Sequence, residues 1–288
     1  MMKFSYFNES QNRFGFASIG RGFTGLLGTF APRISTYVGS KMLLKPRGKR
    51  HYDFQQIQVH KEMKLLTSMG TAHINLFGSG KKLVVLTHGW ADNSRSFQQI
   101  ILSLTQQGYL VAALDHIGHG KSTGDKAHLL SFIETLELLL EHFHDERVAV
   151  EAIIGHSMGA YATLNLPHHL LENKKLILIS SPVHFFNAMF EKIERFGISR
   201  KLTQRLLESI SQKYGKQWHQ LQLEHHVDKL DFDVTFIHDR DDRHAPFSEI
   251  ETFLQQDKAK LITTEGLGHS RILVDTNVIT NISQVLAA

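Results

Sequence analysis

The 288-residue chain is 42% hydrophobic and 21% charged, the balance of a soluble globular protein, and no apolar run nears the ~20 residues that span a bilayer. Its net charge of +4 is far from the charge density of a nucleic-acid binder, so no nucleic-acid partner is expected. The absence of cysteine excludes disulfides, thiolate catalysis and cysteine metal sites.

Met1 to Ser10 hold one lysine and no sustained apolar run, which does not read as a secretory signal; the expected location is cytoplasmic. Residues 1–50 read as an N-terminal helical and basic extension. Gly15, Gly20, Gly22, Gly25 and Gly28 precede a helix-like run from Ile34 to Leu44, and the basic patch Lys45-Pro-Arg-Gly-Lys-Arg50 closes it. Packing on the main domain is the favoured role. Peripheral contact with an anionic membrane surface through this basic segment is the lesser one.

Residues 51–288 read as the main domain. Phe54–Val59 and Ala72–Phe77 read as a pair of entry strands. Short, continuously apolar runs follow at Leu83–Thr87, Tyr109–Leu114, Val148–Ile154, Leu176–Ser180, Val234–His238 and Lys260–Thr263, as suits strands buried on both faces. Helix-like stretches alternate with them at Phe97–Gln107, Leu129–His142, Met158–Leu171 and Ser270–Leu286. The alternation predicts an α/β architecture, a mostly parallel, doubly wound sheet of about eight strands. Residues 182–230 interrupt it with helix-like pieces at Phe186–Phe196 and Lys201–Tyr214, and are expected to form a helical lid.

The pentad Gly155-His156-Ser157-Met158-Gly159 falls between the run ending at Ile154 and the helix-like stretch from Met158. A sharp strand-to-helix turn strains the backbone of its central residue and needs small neighbours on either side. The turn presents the Ser157 hydroxyl at a helix N-terminus, where the dipole favours developing negative charge. A serine hydroxyl needs a base, and in this strand–turn–helix arrangement the partners follow in the order acid, then histidine. His269, in Gly266-Leu-Gly-His269-Ser270, is the expected base. After the run Val234–His238 come Asp239, Asp241 and Asp242; Asp242 is the expected acid, Asp241 the alternative, and the others would cap the next helix or balance Arg240 and Arg243. The backbone N–H of Met158 and that of Trp90, in His88-Gly89-Trp90, are the expected oxyanion hole. Trp90 also reads as a packing aromatic.

The 19 histidines include the pairs His168-His169 and His225-His226. No His-Glu-x-x-His or related spacing accompanies them, so no metal is expected and they read as exposed polar residues.

Taken together, these residues resemble the α/β-hydrolase superfamily from about Tyr52 onward. The marks are His88-Gly89-Trp90, Asp115-His-Ile-Gly118-His119-Gly120-Lys-Ser122, the Ser157 pentad, Asp242-x-x-x-Pro246 and Gly268-His269. More narrowly, Gly266 to Leu273 is similar to an esterase-like branch of bacterial serine hydrolases. The resemblance implies an α/β-hydrolase fold, no cofactor, and a shaping role for Asp115–Ser122 beside the site. It also implies glycine where this chain carries Asp239, a departure that leaves the choice between Asp242 and Asp241 open. The expected activity is cleavage of a small-molecule carboxylic ester through an acyl-enzyme on Ser157, with thioesters open to the same mechanism. A serine there argues against the dehalogenase and epoxide-hydrolase branches, which carry aspartate. Two further readings are a cofactor-free perhydrolase or haloperoxidase-like activity, which uses the same triad, and a non-catalytic ligand-binding homologue.

Overall fold

Strand by strand, the apolar runs become one sheet. The computed structural model describes residues 14–47, 52–254 and 259–288. The strands are β1 (Lys61–Thr67), β2 (Gly70–Phe77), β3 (Leu83–Thr87), β4 (Leu110–Asp115), β5 (Val150–His156), β6 (Lys175–Ile179), β7 (Asp233–Asp239) and β8 (Lys260–Thr264). They lie in the order β1-β2-β4-β3-β5-β6-β7-β8. β2 pairs antiparallel with both β1 and β4, and every other pairing is parallel. The helices before and within the first half are α1 (Phe14–Phe30), α2 (Pro32–Leu43), α3 (Gln98–Gln106), α4 (Leu129–Asp145), α5 (Met158–Leu164) and α6 (His168–Leu171). The remainder are α7 (Phe185–Arg195), α8 (Arg200–Tyr214), α9 (Phe247–Phe253), α10 (Gly268–Arg271) and α11 (Thr276–Ala287).

The described residues form two compact units. The larger comprises Leu44–His184 and His219–Ala288 and holds the whole sheet. Its β3 is buried at every position, which is why Leu83–Thr87 shows no polar alternation. Val84 and Leu86, with Ala152, Ile154, Ile177 and Ile179, join Ile100, Ile101 and Leu104 of α3 and Val278, Ile282 and Leu286 of α11 in one core layer. The intervening side chains point to the opposite face, as the period of two requires. β3 has β4 on one side and β5 on the other, so the chain leaves their carboxyl ends in opposite directions and opens a crevice there.

Two expectations need correction. Phe54–Val59 is not a strand. Phe54, Ile57 and Val59 pack half-buried against the core, and the edge position belongs to β1. That strand is mostly exposed, so its Lys-Glu-Met-Lys sequence lacks the apolar signal of the inner strands. The stretch Met158–Leu171 is two helices, because Pro167 cannot continue the first and starts α6.

The second unit joins the N-terminal residues up to Leu43 with Phe185–Trp218. α1 and α2 both pack on α8. Phe186 and Phe190 are buried against Trp218, with ring centroids 5.2 and 5.6 Å apart, so the insertion's aromatic residues build this unit's interior. Of the expected lid, residues 219–230 belong instead to the larger unit. Lys229 fixes them there by donating to the carbonyls of Leu164 and Leu166 at the end of α5. Met1–Ser10 and residues 48–50 of the basic patch lie outside the described residues.

One buried carboxylate organises the rim of the sheet. Asp115, at the end of β4, accepts from the Tyr52 hydroxyl (2.6 Å), the Lys121 amide (2.7 Å) and the Ser94 amide (2.8 Å). The loop passes so close that a Cβ on Gly120 would sit 2.1 Å from its Oδ2. Burial first, then the charge and the hydrogen bond of Asp115, raise the Tyr52 phenol well above its ordinary value, so it stays a donor. Tyr52→Phe leaves a buried carboxylate one donor short and should cost about 2 kcal/mol of stability, read from urea unfolding with the denaturant slope unchanged.

Candidate active site

The site begins with a strained residue. Ser157 links β5 to α5 at φ 52°, ψ −119°, a conformation that side-chain-bearing residues rarely adopt. Its amide donates to the Ile179 carbonyl (2.9 Å) and its carbonyl accepts from the Tyr161 amide (3.0 Å), which locks the turn to β6 and to α5. The flanking glycines answer a spatial demand. A Cβ on Gly155 would lie 2.6 Å from the Ala160 Cα, and one on Gly159 would lie 2.3 Å from the Thr87 carbonyl oxygen. Helix α5 therefore starts directly against the ends of β3 and β5, with the Ser157 side chain half-buried at its N-terminus.

His269 is brought to that hydroxyl from α10, across 112 positions of sequence. Its Nε2 lies 2.9 Å from Ser157 Oγ, and its Nδ1 lies 2.7 Å from Asp242 Oδ2. A carboxylate only accepts, so Nδ1 carries the proton and Nε2 is left to accept from the hydroxyl. The other oxygen of Asp242 accepts from the amides of His244 (2.8 Å) and Ala245 (3.0 Å). Burial alone would raise the Asp242 carboxyl; the hydrogen bond and charge of His269, with these two amides, overcome it and lower it to about 2. Asp242 is thus an anion with every near partner a donor.

Asp241 does not reach His269. It is exposed, and its Oδ2 accepts from the Gly266 amide at 2.9 Å. Asp239 is more deeply engaged: its two oxygens accept from Thr264 Oγ1 (2.7 Å) and from the amides of Gly268 (2.8 Å), Asp241 (3.0 Å) and Leu267 (3.1 Å). Burial opposes the charge, yet the Thr264 hydroxyl and the three amides hold the carboxyl below its ordinary value. Neither residue caps a helix or balances Arg240 or Arg243 through these bonds. Both tie the turn that carries Asp242 to the loop that carries His269.

Met158 is buried as the first residue of α5, and Trp90 is half-buried in the loop after β3. That loop runs against the serine: a Cβ on Gly89 would lie 2.9 Å from Ser157 Cβ. His88-Gly89-Trp90 and the pentad are therefore neighbours in space.

The histidines around the site are not exposed polar residues. His73, His88, His116, His119, His128, His156, His238 and His269 are all buried. Most spend their ring nitrogens on the backbone. His88 donates from Nδ1 to the Gly89 carbonyl (2.7 Å) and accepts at Nε2 from the His116 amide (3.1 Å), while His119 accepts at Nε2 from the Ala91 amide (3.0 Å). His116 stacks on Phe132 at 3.7 Å, and burial pushes it far below its ordinary value. His156, inside the pentad, donates from Nε2 to the carbonyl of His269 (2.8 Å) and so braces His269 through its backbone. Among the described residues, no group of three or more histidine, aspartate or glutamate side chains is arranged to hold a metal ion. Sequence reasoning missed the supports at Asp239 and His156; the position of His156 inside the pentad was the available signal.

Two tests follow from these supports. Asp239→Asn puts an amide before donors that now face a carboxylate; loosening the His269 loop should slow modification of the Ser157 hydroxyl by a fluorophosphonate about a hundredfold. Rates of labelling check it. The second concerns acid. Burial first, then the neighbouring His269, lower His156 to about 3. Below the ordinary histidine value of ~6.5 the unfolded chain binds a proton that folded His156 refuses, so stability falls as pH drops. Asp242, lowered to about 2, adds its own loss only below its ordinary carboxylate range. Urea midpoints should therefore decline between pH 6.5 and 4, and His156→Gln, which keeps the donor, should lessen that decline, buried His116 contributing the same sign.

Comparison with known proteins fits this geometry. Residues 78–268 match the hydrolase family described as serine aminopeptidase, S33. Over 81 residues the chain is 36% identical to a monoacylglycerol lipase of Mycolicibacterium smegmatis, covering 27% of this chain and 29% of the lipase. Over 162 residues it is 28% identical to a serine hydrolase-like protein of Mus musculus, covering 54% of this chain and 50% of that protein. The chain thus spans half or less of the length of these curated relatives. In structure, an esterase of Pyrococcus furiosus superposes with a TM-score of 0.64 at 16% identity, over 85% of this chain and 97% of that one, which establishes a shared fold.

Proposed function

Because the chain belongs to the serine aminopeptidase (S33) family of α/β hydrolases, we propose that it hydrolyses carboxylic esters through an acyl-enzyme on Ser157. The observation that carries the proposal is the placement of His269 Nε2 2.9 Å from Ser157 Oγ, with Nδ1 2.7 Å from a buried carboxylate. Ser157 Oγ attacks the ester carbonyl carbon while its proton passes to His269 Nε2. Asp242 holds the tautomer and stabilises the imidazolium. The amides of Met158 and Trp90 face the oxyanion of the tetrahedral intermediate. As the intermediate collapses, the C–O bond to the alcohol breaks and the alcohol departs with the proton held on Nε2. Water then attacks the acyl-enzyme, gives its proton to His269, and the acid leaves as Ser157 regains its own.

The monoacylglycerol lipase relative favours a fatty-acyl ester as the first substrate class to test. A thioester follows the same steps. A lid role for the insertion belongs to the same proposal and rests on chain order, since α7 and α8 follow the carboxyl end of β6 and precede β7.

The proposal is tested with p-nitrophenyl esters of increasing chain length and a fluorophosphonate probe. Ser157→Ala should lose both turnover and labelling while melting as the parent does. Asp242→Asn should lower kcat by about 10⁴-fold, through loss of the correct tautomer. Asp241→Asn, which touches only the bond from the Gly266 amide, should cost far less. Probe labelling of Ser157→Ala, or equal losses for the two aspartates, contradicts the assignment.

A further inference from the structure

The second unit wears one of its helices inside out. A surface helix on a globular protein turns its large apolar residues inward and its small or polar ones to water. In α1 the large ones face out: Ile19, Phe23, Leu26 and Phe30 are 72%, 63%, 60% and 80% exposed. Their spacings of four, three and four residues put them on one narrow stripe. The opposite side is made of small residues and fits the helices of the same unit closely. A Cβ on Gly20 would meet the Gly197 carbonyl oxygen at 2.7 Å, and one on Gly28 would meet the Leu202 amide nitrogen at 3.2 Å. Between them, Thr24 Oγ1 accepts from the Ser199 amide at 2.9 Å. α2 repeats the arrangement, with Ser35 and Gly39 buried and Ile34 and Tyr37 exposed.

Charge says what the outward face fits. Residues 14–47 hold five lysines and arginines and no acidic residue. The whole unit, counted through Leu43 and over 185–218, carries twelve lysines and arginines against four glutamates, a net +8 in a chain of net +4. The larger unit is therefore net −4, and the positive balance belongs to the unit that carries the apolar stripe. Arg33 and Lys41 of α2 are both exposed. Apolar side chains and cations on two helices that themselves carry no acidic residue complement the headgroup region of an anionic bilayer. No described helix is long and apolar enough to cross a membrane, so the contact is one of lying on the surface.

We propose that the outward face of α1 and α2 docks this protein on an anionic lipid surface. The inward and outward faces do separate jobs: glycines pack the helices onto α8, and the apolar stripe enters the lipid interface. This inference does not depend on ester hydrolysis, and its test reads binding, not turnover.

The test is co-sedimentation of the full chain with vesicles of phosphatidylcholine alone or with 30% phosphatidylglycerol. Binding to the anionic vesicles is expected, with little to the neutral ones, and it should weaken as NaCl rises and the Debye length shrinks. Arg33→Gln with Lys41→Gln should lower affinity about fivefold per charge removed. Phe23→Ser with Phe30→Ser should lower it by at least about tenfold, through lost apolar burial. Both pairs are exposed, so thermal melts and probe labelling at Ser157 should match the parent and certify a folded chain. Absence of binding to anionic vesicles overturns the proposal, as does binding that survives the phenylalanine changes. A dimer in light scattering that Phe23→Ser with Phe30→Ser disperses, without vesicle binding, also overturns it and makes the stripe a contact between two copies.

Discussion

The backbone of Ser157 is the constraint on which the site rests. A residue with a side chain at φ 52° holds that shape only when its surroundings determine it more strongly than the strain opposes it. Here the surroundings are the hydrogen bonds to Ile179 and Tyr161 and two glycines that let α5 meet the ends of β3 and β5. The parallel sheet supplies this support from both sides, because β5 lies between β3 and β6. The hydroxyl is consequently placed by strands, and only its partners are placed by loops.

Those partners need rigidity from another source, and buried carboxylates provide it. Asp239 gathers the Thr264 hydroxyl and three amides, so the loop of His269 is fastened to the end of β7. Asp115 does the same at the end of β4, gathering a phenol and two amides around a loop that only glycine can complete at position 120. Each carboxylate accepts hydrogen bonds from groups that a loop would otherwise turn toward water. A charge-assisted bond is roughly twice as strong as a neutral one, so one side chain can order several backbone groups.

The inner strands were legible because helices cover both faces and leave no polar alternation to confuse the pattern; Leu83–Thr87 has the bounds read for it. The edge was not. β1 is largely solvated, and its lysines and glutamate concealed it, while Phe54 and Ile57 mimicked a strand by packing without pairing. At the candidate site, the grouping of Ser157, Asp242 and His269 was legible from local chemistry, namely a pentad and two turns at strand ends. The roles of Asp239 and His156 were not, since each acts on backbone groups more than 25 residues away, a relation that pattern along the chain does not encode. The association of α1 and α2 with α8 was hidden for a similar reason: glycines that look like flexibility in sequence are contact surfaces in the fold.

The strained elbow also limits which residues the position can carry. At φ 52° a branched Cβ is far less tolerable than an unbranched one, so threonine is disfavoured where serine fits. Cysteine has the same unbranched Cβ and shares the permission. Because the natural chain has no cysteine, a thiol introduced at position 157 would be its sole sulfhydryl, and alkylation would report on that one atom's surroundings without interference from elsewhere in the molecule.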